Sequence, residues 1–267
     1  MNNRFFLSDP LRRARAIAWR GFTRDLLSHH PRAKRTVVQP SFPHQVLRIA
    51  HRGASGYAPE NTLAAFRRAI ELNADMVEFD VRRTRDHELV VCHDARLDRL
   101  ANIPAAIREL TWTELQQVTI CGEHIPRLAD VLTLLAPKCE IDLEIKERGL
   151  AEAVVAVVKT IGCQSRVLFS SFLSNELLRL KAIDPTLRVG VLLQEAPVTA
   201  GSCLRLARLV QAEAVIISHS AFRRSLLTAA HRKGIKLFIW TVDDPEAIAH
   251  LKTLGVDGII SNYPDLI

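Results

Sequence analysis

From Val46 onward the chain alternates short apolar runs with longer stretches of helical periodicity, and no other feature restricts its fold so tightly. The runs are Leu47–His51, Met76–Arg82, Val90–His93, Glu140–Lys146, Val167–Phe172, Arg188–Leu193, Ala214–His219, Lys236–Val242 and Gly258–Ser261. Between most of them apolar residues recur at three- and four-residue spacing, as in Thr62–Leu72, Leu150–Ile161 and Ser174–Ile183. Strands alternating with helices build βαβ units and a parallel sheet. Val90–His93 breaks the rhythm. Only Arg83 to Leu89 separates it from the run before, whereas a parallel crossover needs a dozen or more residues. It is expected to fold back as a β-hairpin arm after strand two, with Asp86-His87-Glu88 near the turn. Eight parallel strands remain, and the length suits a (β/α)8 TIM barrel over residues 46–267. An open doubly wound sheet would want a glycine-rich phosphate loop after its first strand, and none occurs there.

Charge divides the chain differently. The whole sequence carries a formal net charge of +7. Residues 1–48 hold ten Lys/Arg and two Asp, so the remainder is close to neutral. The excess belongs to an N-terminal arm over residues 1–45, and no nucleic-acid-binding motif accompanies it. Within the arm Leu7, Leu11, Ala14, Ala18 and Phe22 recur at helical spacing, with Arg12, Arg13, Arg15, Arg20 and Arg24 between or beside them. Two readings stay open: an amphipathic helix on an anionic membrane surface, or a helix packed on the barrel. No run is long enough to span a bilayer. The five cysteines are odd in number and widely spaced, without a CxxC pair. They are expected to be reduced thiols of a cytoplasmic protein, peripheral at the membrane if the arm binds lipid.

In a barrel the site lies at the C-terminal ends of the strands. Strand one ends in His51-Arg52-Gly53. Strand two carries Glu78 and Asp80, two residues apart and so on one face. The hairpin arm ends in His93-Asp94. The next strand carries Asp142, Glu144 and Lys146 on alternating positions. Charged residues inside apolar strands are costly unless paired or metal-bound. Glu78, Asp80 and Glu144 offer hard oxygen ligands of the kind that hold Mg²⁺ or Ca²⁺; the alternative is a salt-bridge network with Arg52 and Lys146. His51 and His93 flank the same mouth and suit general acid–base work. Arg52 and Lys146 point to an anionic substrate, with phosphate matching the planar fork of Arg.

The run His51-Arg52-Gly53, Pro59-Glu60-Asn61-Thr62, Glu78-Phe79-Asp80-Val81 and His93-Asp94 resembles the glycerophosphodiester phosphodiesterase family. Glu144-Ile145-Lys146, Ser170-Ser171-Phe172, Trp240-Thr241 and Asp257-Gly258-Ile259-Ile260-Ser261-Asn262-Tyr263-Pro264 extend the resemblance over residues 47–267. It implies a TIM barrel that hydrolyses glycerophosphodiesters to an alcohol and glycerol 3-phosphate with a divalent cation, Mg²⁺ or Ca²⁺. By that resemblance His51 and His93 are the acid/base pair, Glu78, Asp80 and Glu144 hold the metal, and Arg52 and Lys146 contact phosphate. From their positions alone, Glu60 either orients Arg52 or is a plain acid at the start of the first helix, and Trp240 either lines the glycerol pocket or packs in the core. The sequence departs from the family in three places. His87 follows Asp86 where Gly is usual, and Asn262 stands where Asp is common. Only Ala95 to Glu123 lies between His93-Asp94 and a helix start at Ile125-Pro126, which implies a more open pocket.

Two rivals remain. One is a lysophospholipase D-type lipid phosphodiesterase on the same barrel, and the other a non-catalytic binding barrel. A metal amidohydrolase is excluded, since its first strand would need HxH and this one has His51-Arg52-Gly53.

Overall fold

The computed structural model describes residues 45–194 and 199–267. The arm, apart from Gln45, lies outside the described residues. The first half of the barrel comprises β1 (Leu47–His51), α1 (Leu63–Glu71), β2 (Met76–Arg83) and β3 (Leu89–Val91). Two short helices, α2 (Asp98–Ala101) and α3 (Trp112–Leu115), follow, then the two-residue strands β4 (Thr119–Ile120) and β5 (Glu123–His124), then α4 (Leu128–Leu135). The second half is regular: β6 (Glu140–Ile145), α5 (Ala151–Ile161), β7 (Val167–Ser171), α6 (Ser174–Ile183), β8 (Arg188–Leu193) and α7 (Ala200–Leu209). It ends with β9 (Ala214–Ser218), α8 (Arg224–His231), β10 (Lys236–Trp240), α9 (Pro245–Leu254) and β11 (Gly258–Ser261).

Parallel pairings run β1–β2–β6–β7–β8–β9–β10–β11, and β11 pairs β1, which closes an eight-stranded barrel. β3 adds to β2 in antiparallel register, Val81 opposite Val91. At the turn between them His87 has φ 70°. That is the left-handed region where glycine carries no steric cost, which explains the usual Gly at this point. The five cysteines are free thiols.

Alternation sorts each strand into two cores. Inward residues, among them Ile49, Met76, Leu168, Ile216, Phe238 and Ile260, fill the barrel. Outward residues such as Val77, Phe79, Leu143 and Phe169 pack against the helices. The same alternation sends Glu78, Asp80, Asp142 and Glu144 inward. The register sets Glu78 beside Asp142 and Asp80 beside Glu144.

The interior is ionic at its N-terminal end as well. Arg188, at the start of β8, bridges Glu140 at 2.5 Å and Glu213 at 2.8 Å, and Lys236 reaches Glu213 at 2.7 Å.

The segment between β3 and α4 is more than a connection. Leu97, Ile107, Leu115, Val118, Ile120 and Ile125 are buried together with Val90 and Cys92 in a small core of their own. α4 starts at Leu128, two residues beyond the expected position. The barrel therefore carries a folded excursion beside its mouth, where the sequence suggested only a more open pocket.

Candidate active site

The loop leaving β1 sets the first catalytic candidates. Arg52 adopts φ 56° and Gly53 φ 78°. A Cβ on Gly53 would meet the Ala65 backbone at 2.7 Å, so α1 packs here against bare backbone. The turn is held at Arg52, whose N–H donates to Glu78 Oε2 at 2.9 Å. Its guanidinium donates from Nη1 to Glu60 Oε1 at 2.9 Å and lies 3.5 Å from Asp80. Glu60 precedes α1, whose N-cap is Thr62. It acts on Arg52 rather than on the helix.

Glu78, Asp80 and Glu144 are all buried, with ligand oxygens within 4.8 Å of one another. Lys146 lies 2.8 Å from Glu144 and 3.3 Å from Asp80. Arg52 and Lys146 thus face four inward carboxylates, counting Asp142. Arg82 does not help: it donates to Glu147 and to the His93 carbonyl oxygen. The imbalance shows in the acidities. Burial, then Asp80, Glu144 and Asp142, push the Glu78 carboxyl well above its usual range. Burial and the Asp80 charge push Glu144 up to about 8. Burial opposes ionisation of Asp80 too, but Lys146 and Arg52 outweigh it and hold its carboxyl down at about 2. Asp80 Oδ1, only 1% of the residue being exposed, has no hydrogen-bond partner. A buried, under-neutralised set of hard oxygens fits a divalent cation. Glu78, Asp80 and Glu144 are the residues that would hold it.

Each histidine is steered through Nδ1. His51 Nδ1 lies 2.8 Å from Asn262 Oδ1. Asn262 Nδ2 donates to Asp243 Oδ2 at 2.6 Å, which fixes the amide orientation and leaves Oδ1 to accept. The His51 proton is therefore on Nδ1. His93 Nδ1 donates to Asp94 Oδ1 at 2.7 Å, so here the partner is a carboxylate. Burial lowers the pKa of both rings. The charge of Arg52 adds to this at His51, and Asp80 and Asp94 oppose it at His93.

His51, Arg52, Glu78, His93, Glu144 and Lys146 line a cavity of about 430 Å³, with Phe172 and Gln194 among its other walls. Trp240 and Phe172 meet edge-to-face at 6.0 Å on one wall. The Trp240 Nε1 is buried without a hydrogen-bond partner, and the Asp142 carboxylate interacts with the Ser170 hydroxyl. Burial pushes Asp142 up to about 7.

The profile of the Glycerophosphoryl diester phosphodiesterase family matches residues 51–266. The chain belongs to this family. Membership makes the protein an enzyme, a phosphoric diester hydrolase. It is 34% identical over 237 residues to the glycerophosphodiester phosphodiesterase of Caldanaerobacter subterraneus subsp. tengcongensis, covering 84% of this chain and 96% of that one. The glycerophosphodiester phosphodiesterase of Thermotoga maritima superposes with a TM-score of 0.75 at 32% identity, covering 84% and 97%. An Oleispira antarctica phosphodiesterase solved with the product sn-glycerol-3-phosphate gives 0.75 at 30% identity, covering 81% and 93%.

The structure gathers all nine residues singled out from the sequence around one mouth of this phosphodiesterase barrel. It also shows supports that the sequence did not reveal. Asn61, at φ 59°, donates Nδ2 to Asp80 Oδ2 at 2.8 Å. It lies inside the quoted Pro59-Glu60-Asn61-Thr62 motif, so the signal was present without a role. Asn262 had the signal of a departure from the family, and its role is to orient His51.

Proposed function

We propose that this centre hydrolyses glycerophosphodiesters to an alcohol and sn-glycerol 3-phosphate, with Mg²⁺ or Ca²⁺ held by Glu78, Asp80 and Glu144. The observation that carries this reading is a cluster of three buried carboxylates at a cavity lined by two of them, two imidazoles and two cations. A bound divalent cation supplies Lewis-acid stabilisation of charge on the phosphoryl oxygens. Arg52 and Lys146 bind the same oxygens, Arg52 through its fork and Lys146 as a point charge. His51 carries its proton on Nδ1 and presents a free Nε2, so it takes the proton of the nucleophile, either a water or the glycerol 2-hydroxyl, the latter giving first a cyclic phosphate that water then opens to glycerol 3-phosphate. His93, held through Nδ1 by Asp94, gives a proton to the leaving alkoxide as the P–O bond to the alcohol breaks. Trp240 and Phe172 pack the carbon skeleton of the glycerol.

The test is a screen of glycerophosphocholine, glycerophosphoethanolamine and a lysophospholipid, in chelator and with Mg²⁺ or Ca²⁺ restored. Release of glycerol 3-phosphate only with cation supports the reading. Turnover confined to the lysophospholipid would move the assignment to a lipid phosphodiesterase. No turnover of any substrate would leave a binding barrel.

A further inference from the structure

Two supports of the centre converge on one guanidinium. Arg99 stands on α2, in the folded excursion between β3 and α4, and its side chain is 53% exposed. Its Nη1 and Nη2 donate to Glu60 Oε2 and Oε1 at 3.0 and 2.7 Å. Its Nε donates to Asp94 Oδ2 at 2.6 Å. Glu60 Oε1 also accepts from Arg52, and Asp94 Oδ1 accepts from His93. An unbroken chain thus runs His93–Asp94–Arg99–Glu60–Arg52 along the rim.

We propose that Arg99 is a positioning residue that fixes His93 and Arg52 together, and that the excursion serves as the buttress carrying it. The inference rests on the phosphodiesterase reading of the same site. The small core of the excursion anchors the neighbouring Leu97, so the guanidinium is presented from a packed element. With one fork engaging both carboxylates, neither can rotate without breaking a charge-assisted bond. Glu60, engaged by Arg99, also competes less with a phosphate for Arg52. Burial opposes the charge on Asp94 and Glu60, but these contacts outweigh it and hold both carboxyls below their ordinary pKa range. A surface ion pair of this exposure contributes little to stability, so its effect should appear in turnover instead.

The experiment compares Arg99→Ala and Arg99→Lys with wild type on glycerophosphocholine under saturating cation. Arg99→Ala is expected to lose about 10- to 100-fold in kcat through a misplaced His93 and to raise KM through Arg52, with Tm nearly unchanged. Lys cannot span two carboxylates and should rescue poorly, while added guanidinium should restore part of the loss. Asp94→Asn should reproduce chiefly the kcat defect and Glu60→Gln chiefly the KM defect, each adding little in the Arg99→Ala background. These two variants decide the matter if Arg99→Ala proves unstable. Independently of turnover, the hydrogen-bonded Nδ1–H resonance of His93 should be sharp in wild type and lost in Arg99→Ala. Unchanged kcat, KM and resonance in a folded Arg99→Ala would overturn the proposal while leaving an active wild type as a phosphodiesterase. An inactive wild type would refute that reading instead, and the resonance would still decide whether Arg99 holds His93.

Discussion

The two ends of the barrel are both ionic inside, yet they are built on opposite principles. At the N-terminal end Glu140 and Glu213 meet Arg188 and Lys236 in close pairs. Burial opposes the Glu213 charge, but the two cations outweigh it and hold its carboxyl down at about 2. At the C-terminal end four carboxylates meet two cations. Glu78 and Glu144 are pushed up, and the buried Trp240 Nε1 lacks a hydrogen-bond partner. Satisfied charge closes a barrel, whereas unsatisfied charge in the same geometry is a site waiting for a ligand. The same residue types are therefore paired off at one mouth and left under-neutralised at the other.

The largest effect should come from removing a ligand carboxylate. Glu78→Gln and Glu144→Gln should each lose cation-dependent turnover by about 10³-fold or more, the scale of several kcal/mol of transition-state stabilisation. Full activity of either variant in chelator would end the metal assignment. Next come the imidazoles. His51→Ala and His93→Ala should each cost at least ~10²-fold in kcat. A wild-type pH–rate profile with a single limb, together with a mild His93→Ala phenotype, would leave that ring without its role.

Glu213→Gln tests the other mouth and should behave in reverse. Turnover should hold, while stability falls by about 1–2 kcal/mol, seen as a few degrees of Tm. The sign follows from linkage. A carboxyl held below its unfolded value stabilises the fold above that value and loses the contribution as pH falls through its folded pKa. The Tm gap between wild type and Glu213→Gln should thus be open above pH ~4.5 and close toward pH ~2. A gap that does not respond to pH would mean packing, not charge. The smallest effect belongs to the arm: deleting residues 1–45 should leave kcat on a soluble glycerophosphodiester nearly unchanged, because the site groups begin at His51. A large loss of kcat would place the arm in the catalytic apparatus.

Strand residues were legible in the sequence because a period of two is a strong local rule. Once Glu78 and Asp80, or Asp142 and Glu144, alternate in an apolar run, their shared inward face follows. What escaped was set by tertiary geometry. Arg99 sits on a four-residue helix with no periodicity to read, and its importance depends on Glu60 lying 39 positions away in the chain. Asn61 acts because its backbone is left-handed, which a single asparagine does not announce. The excursion carries no legible pattern because its core is assembled from two-residue strands and brief turns, below the length at which a pattern repeats. The inward ion pairs of Glu140 and Arg188 were equally invisible, since each begins its strand beside a loop.

Charge at the C-terminal mouth is held against the stability of the barrel. The direct measurement is the Tm of wild type and Glu78→Gln, first in chelator and then with excess Ca²⁺ or Mg²⁺. Glu78 accepts a bond only from the Arg52 N–H among the hydrogen bonds resolved at its side chain, which Gln can still accept. In chelator, the Gln variant is expected to melt at or above wild type because a buried repulsion is removed. With cation, wild type should rise by mass action and overtake a variant that responds weakly. A Gln variant that melts well below wild type in chelator, with neither protein responding to cation, would make this mouth a second salt-bridge network and not a metal site.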